Sequence, residues 1–185
     1  LPEYFIDLPT FGQFYGSKST LNMESLIAAK PDITIDIGDM KENHASDMNA
    51  IQKQTGVPTI FVETSIDKMA DAYRTLGKLL NKEEKGNQLA DFIDKTVSMA
   101  ESNAAKIPKK QRKSVMYGTG STGLACNASG SIQADVIDII GAENAIKVSE
   151  KELNNAGGGN TVSMEQVYNF QPDVIIFTAG GAYST

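Results

Sequence analysis

Asn81-Lys-Glu-Glu-Lys-Gly-Asn-Gln-Leu-Ala-Asp-Phe-Ile-Asp-Lys-Thr-Val-Ser-Met-Ala-Glu-Ser-Asn-Ala-Ala-Lys106 is the stretch whose reading decides the fold. Its apolar residues fall at Leu89, Phe92, Ile93, Val97, Ala100, Ala104 and, just beyond, Ile107. Steps of three and four over this length predict one amphipathic helix. Asn81 is placed to cap it, with Glu84 three residues on as the reciprocal partner. Pro108 stops it by forcing Ile107 out of helical geometry. At 1.5 Å per residue the rod is roughly 40 Å long, the width of a small domain. Gly86 weakens it by about 1 kcal/mol, near the first turn. The expectation is a spine between two lobes rather than a surface helix of one.

Composition narrows the function. The chain has 185 residues, 41% of them hydrophobic, enough for one or two compact units. The net charge of −6 gives no general attraction to phosphate backbones, which argues against nucleic acid. No run of 18 apolar residues exists to span a bilayer. The opening Leu1-Pro-Glu-Tyr-Phe5 lacks the basic region and apolar block of a secretion signal. Cys126 is alone, so no intrachain disulfide forms, and a small buried hydrophobe is its expected role.

Outward from the spine, helices and strands alternate. Residues 1–21 are turn-rich. Asn22 caps a short helix from Met23 to Ala29, and Pro31-Asp32 ends it before the strand Ile33–Ile37. After a polar loop, Gly38 to His44, a helix from Ala45 to Thr55 closes on Gly56, and Val57–Val62 is a strand. Thr64 and Asp67 open a helix to about Leu80. Past Pro108, the basic run Lys109–Lys113 reads as a solvated linker. Ser114–Tyr117 is a strand leading into Gly118-Thr-Gly-Ser-Thr-Gly-Leu124, and a second short strand lies near Leu124 to Asn127. Ser131–Ile140 is a helix. Ser149–Asn160, with Gly157-Gly-Gly159, reads as a mobile loop. Ser163 caps a helix, with Gln166 as partner, before Pro172-Asp173 and the strand Val174–Phe177. Short connections between alternating elements predict parallel sheets covered by helices.

Two of these units are copies. Asn22-Met-Glu-Ser-Leu-Ile-Ala-Ala-Lys-Pro-Asp-Ile-Thr-Ile matches Ser163-Met-Glu-Gln-Val-Tyr-Asn-Phe-Gln-Pro-Asp-Val-Ile-Ile, residue 23 with 164 and 31 with 172, a constant offset of 141. One copy precedes the spine and one follows it, the pattern of a pseudo-symmetric two-lobed protein. The fold expected is therefore α/β: two pseudo-symmetric lobes with parallel sheets flanked by helices, joined by the spine. Residues 1–64 form a partial N-terminal lobe, 65–108 a helical segment with the spine, and 109–185 a partial C-terminal lobe. Each lobe has too few strands for a fully covered sheet, so strands are expected beyond both ends of the chain.

These features together resemble the class III, helix-linked periplasmic binding proteins, the receptors that deliver ferric siderophores, haem or cobalamin to ABC importers. The resemblance rests on the two helix–Pro-Asp–strand units, Gly56-Val-Pro-Thr-Ile60, and Leu76-Gly-Lys-Leu-Leu-Asn-Lys-Glu-Glu-Lys85 running into the spine. Asp135-Val-Ile-Asp-Ile-Ile-Gly-Ala-Glu-Asn144 and Val162-Ser-Met-Glu-Gln-Val167 also fit, so the likeness covers Asn22 to Phe177. It implies no catalysis and no cofactor. It implies an extracytoplasmic protein, often a lipoprotein, that touches a membrane only through a lipid anchor outside these residues. It implies a metal-chelate ligand held between the lobes at loops beyond the strand ends, as in other parallel sheets. The spine would keep closure on the ligand small.

The candidate ligand-binding residues follow. Met40, Lys41, Asn43 and His44 lie beyond the first repeat strand, with Tyr15 earlier in the turn-rich segment. His44, the only histidine, is read as an exposed loop residue. One histidine argues against a direct metal site. Tyr117, Thr119, Ser121 and Asn127 supply hydroxyls, an amide and an aromatic that suit a bulky organic chelate; the alternative is a glycine-rich surface turn. Tyr183 holds the matching place after the second repeat. Arginine is limited to Arg74 and Arg112, outside these loops, which favours a hydroxamate chelate, haem or cobalamin over an anionic catecholate. Glu24 and Glu165 occupy one place in the two repeats, where the resemblance implies docking to arginines of the permease; Glu42 and Asp47 are rivals in the first lobe.

Two other functions compete. Gly118-Thr-Gly-Ser-Thr-Gly123 fits G-x-G-x-x-G directly after a strand, the fingerprint of a dinucleotide-binding Rossmann-type oxidoreductase. That fingerprint should open a helix at once and carry an acid about 20 residues later, yet Leu124–Gly130 starts a helix poorly and Asp135 and Asp138 come early. No G-x-S-x-G or other nucleophile–base set is present. A ligand-sensing domain with the binding-protein fold is the third reading.

Overall fold

A computed structural model of the chain describes residues 7–14, 20–38, 40, 42–129, 131–147 and 160–177. The chain divides into two compact units, Leu1–Thr64 and Ser65–Thr185.

The first unit is built from α1 (Met23–Ala29), β1 (Thr34–Gly38), α2 (His44–Thr55) and β2 (Thr59–Glu63). Asn22 caps α1 as its sequence predicts, its side chain accepting from the Ser25 amide. Gly56 closes α2 in the left-handed conformation, φ +71°, where a Cβ is disfavoured. β1 and β2 pair in parallel, Asp36 opposite Phe61. Leu26, Met48, Ile51, Val57 and Val62 are buried between helices and sheet.

The second unit opens on a helical hairpin, α3 (Met69–Leu79) and α4 (Glu83–Ala104). The expected long helix is there as α4, 22 residues long, but it starts later than predicted. Asn81 does not cap it: Asn81 sits at φ +54°, in the turn after α3, a conformation asparagine tolerates better than most residues. Nor does α3 begin at Thr64. The Ser65 hydroxyl donates to the Asp67 carboxylate at 2.7 Å in a preceding turn. The inner face of α4 runs Gly86, Leu89, Ala90, Ile93, Val97, Ala100 and Ala104, all buried or half-buried, while Phe92 faces out. Gly86 is more than a weak point: a Cβ there would lie 2.6 Å from the Tyr73 carbonyl oxygen and 2.9 Å from the Gly77 Cα. The two helices cross backbone to backbone, and glycine is what permits it. Arg74 ties the outside of the hairpin, donating to Asp94 at 2.6 Å, Asp71 at 3.3 Å and Asp91 at 3.4 Å.

The remainder forms a mixed sheet around β3 (Ser114–Thr119). β5 (Glu143–Asn144) and β7 (Val174–Phe177) pair with it in parallel. β4 (Ala125–Cys126) pairs with it antiparallel, and β6 (Asn160–Thr161) with β4. The expectation of purely parallel pairing fails at this end, because a tight turn can return the chain only antiparallel. α5 (Ile132–Ile139) and α6 (Met164–Phe170) complete the unit. Met116, Cys126, Ala128, Ala145, Ile146, Val162 and Val167 form its core, with Leu124 and Phe170 against it. α6 carries the expected capping box between Ser163 and Gln166. The expected mobile loop, Ser149–Asn160, lies outside the described residues except for Asn160.

The repeat is geometric as well as sequential. The caps Asn22 and Ser163, the buried Leu26 and Val167, and the left-handed closing residues Lys30 (φ +48°) and Gln171 (φ +44°) all keep the 141-residue offset.

Candidate functional site

The candidate residues fall at the carboxyl ends of strands, one group in each unit. In the first unit the loop after β1 presents Met40, 58% exposed, and an exposed Asn43. Asn43 precedes α2; its carbonyl accepts from the Ser46 hydroxyl at 2.8 Å and its side chain makes no capping bond, leaving the amide toward solvent. His44 differs from expectation. It is the first residue of α2 and only 3% exposed. Its ring stacks on Phe61 with centroids 3.9 Å apart and planes 22° from parallel. Nε2 lies 3.5 Å from an oxygen of Asp36, the residue opposite Phe61 in the sheet register. The aromatic partner and the carboxylate come from adjacent strands, so no local pattern revealed the burial. An open cavity of about 290 Å³ adjoins β1, lined by Thr34, Asp36, Met48 and Thr59 among others, and none of the described candidate residues line it.

In the second unit Tyr117 and Thr119 share one face of β3, two residues apart, and an exposed Ser121 follows in the turn. Thr119 donates its hydroxyl to the Ala125 carbonyl at 2.9 Å, which closes the β3–β4 hairpin and leaves its oxygen only as an acceptor. Asn127 is fully buried. Its side-chain amide donates to Gln133 Oε1 at 3.3 Å and its backbone carbonyl accepts from the Asn144 side chain at 3.0 Å. It braces the chain behind the hairpin and presents no atom to solvent. Tyr15, Lys41 and Tyr183 lie outside the described residues.

The glycine run does not form a phosphate cradle. Gly118 belongs to β3; Gly120 (φ +75°) and Gly123 (φ +68°) make the turn into β4. The run therefore joins two antiparallel strands rather than opening a helix, and the pyrophosphate-facing helix N-terminus of a dinucleotide fold is missing here. Cys126 is fully enclosed, and burial pushes its thiol up to about 11, so it is no nucleophile at neutral pH. Among the described residues no three His, Cys, Asp or Glu side chains converge as a metal site. No described helix is long and apolar enough to cross a membrane. Arg74 is engaged by its three aspartates.

Glu24 and Glu165 are both exposed in the first turns of α1 and α6, matching places in the two copies. Glu42 is likewise exposed.

Comparison with known proteins then adds to the geometry. The family model described as "Periplasmic binding protein" matches residues 14–182. The Fe(3+)-citrate-binding protein YfmC of Bacillus subtilis is 25% identical over 168 residues, 89% of this chain and 49% of that protein. The high-affinity heme uptake system protein IsdE of Staphylococcus aureus is 25% identical over 177 residues, 95% of this chain and 56% of that protein. The structure of an ABC transporter solute binding protein from Sulfurospirillum deleyianum superposes with a TM-score of 0.83 at 29% identity, covering 99% of this chain and 55% of that one. The chain thus spans about half the length of the relatives it matches.

Proposed function

The chain belongs to the periplasmic binding protein family, and on that premise we propose that it is part of an extracytoplasmic receptor that binds a metal chelate and delivers it to an ABC importer. The relatives are solute-binding proteins, not enzymes. The observation that carries the ligand class is the pair of relatives aligned over most of the chain, one binding ferric citrate and one serving heme uptake. Met40 and Asn43 in one unit, and Tyr117, Thr119 and Ser121 in the other, supply polar and apolar contacts for an organic chelate. Tyr15, Lys41 and Tyr183 join them. The candidate loops hold no arginine, which favours a ferric hydroxamate, haem or cobalamin over a highly anionic chelate. Glu24 and Glu165 dock to basic side chains of the permease; two equivalent acids suit a partner with two-fold symmetry.

The test uses the intact protein with haem, cyanocobalamin, ferric citrate and a set of ferric siderophores. Ligand absorbance is followed through size exclusion, since this chain carries no tryptophan to report binding. Co-elution of one coloured ligand, one per chain, is the expected result. Failure of the whole panel to co-elute overturns the ligand class.

A further inference from the structure

The run Gly118–Gly123 has no phosphate to hold, yet its glycines are demanded by a contact. A Cβ on Gly123 would lie 2.7 Å from Phe177 Cδ1 and would overlap Cε1. A Cβ on Gly118 would lie 3.1 Å from the same two ring atoms and would strike the Gly123 carbonyl oxygen. The two arms of the hairpin therefore close on each other, and the Phe177 ring fills the notch beside them. Phe177 is the last residue of β7 and the register partner of Gly118. Hydrogen bonds also hold the turn: Gly123 N–H to the Gly120 carbonyl at 3.2 Å, Leu124 N–H to Thr122 Oγ1 at 3.4 Å, the Thr119–Ala125 bond and, from outside the hairpin, Val162 N–H to the Leu124 carbonyl at 2.9 Å. These bonds fix the β4 end of the turn; the Phe177 ring is the side chain that touches both arms at once, beside Gly118 and Gly123.

We infer that Phe177 is a positioning residue for the ligand-facing hairpin, holding Thr119 and Ser121 in place through the glycine notch. The role in binding rests on the proposed function; the wedge itself does not. A preformed loop does not have to be ordered when ligand arrives, so releasing it weakens affinity without removing a contact.

The experiment uses the intact protein, with haem and ferric citrate as probes and amide hydrogen exchange as an independent readout. Phe177→Ala is expected to weaken binding of the probe the protein takes by about tenfold and to speed exchange across residues 118–127. Val174→Ala, at the other end of β7, is expected to shift Tm while leaving both readouts alone. Gly123→Ala alone weakens binding; adding Phe177→Ala to it restores part of the loss, because the overlapping ring is gone. Additive effects in that cycle, or unchanged exchange in Phe177→Ala, overturn the inference. Phe177→Leu is measured beside the alanine variant and carries the same cycle if the latter does not fold. If the unaltered protein binds neither probe nor any other chelate of the panel above, the functional reading fails on its own and the exchange measurement still decides the wedge.

Discussion

The α1–β1 and α6–β7 units share their caps, buried anchor and left-handed closure, but are tied to their neighbours by different chemistry. In the first, the Thr34 amide at the start of β1 donates to the Pro58 carbonyl at 2.8 Å, a bond between backbones. In the second, β7 joins β3 by the parallel ladder, and the side chain of Asp173 adds a tie at its start. It accepts from the Ser114 amide at 2.8 Å and from Lys113 Nζ at 3.1 Å. Its counterpart Asp32 makes no hydrogen bond or ion pair with a described residue. A duplicated unit thus preserves what is local to it and leaves the long-range tie to whatever the rest of the lobe provides. Only the second tie carries a titratable group.

The buried anchors give the largest expected contrast. Leu26→Ala should destabilise its unit by about 2–4 kcal/mol in denaturant unfolding, and Val167→Ala by less, since fewer methyl groups are lost. Equal losses would mean the two units are packed more alike than their side chains suggest. Next come the caps. Asn22→Ala and Ser163→Ala should each cost about 1 kcal/mol. Gln166→Ala should add a loss in α6 with no counterpart at Ser25 in α1, because the Gln166 side chain accepts from the Ser163 amide at 2.8 Å. No loss in Gln166→Ala would break the assignment of a reciprocal cap.

The smallest effect separates the ties. The Ser114 amide, then the Lys113 ammonium, hold the Asp173 carboxyl below its ordinary range. The folded state therefore binds that proton less readily than the unfolded chain. Its contribution is present at neutral pH and is lost as pH falls through and below the usual carboxylate range. Asp173→Asn should flatten the acid limb of the stability curve relative to the unaltered protein. Thermal melts across that range read the difference.

What the sequence made legible follows the same division. Both caps, the Gly56 closure and the capping box were readable because each is set within four residues. The repeat was readable because its identities lie at one spacing. The Gly77–Gly86 crossing was not: Gly86 looked like a weak point until the other helix was in place. Asn81 is polar enough either to cap or to turn, and the end of α3 decided it. In the candidate site, the loops beyond β1 and β3 were legible from topology. The burial of His44 depended on Phe61 and Asp36 from two strands, and the burial of Asn127 on Asn144 and Gln133. The glycine run matched a nucleotide fingerprint letter by letter; only its return strand, β4, shows why it is something else.

β7 has a further practical consequence. Val174, Ile175 and Ile176 are 44%, 41% and 46% exposed, so both faces of a branched aliphatic strand meet solvent, and β3 is its one partner among the described residues. A row of unpaired amides flanked by such side chains recruits other strands. Where nothing else covers that edge, the 185-residue chain is expected to precipitate by edge-to-edge pairing. Charge on that strand, such as Ile175→Lys, is the change to make before the chain is concentrated.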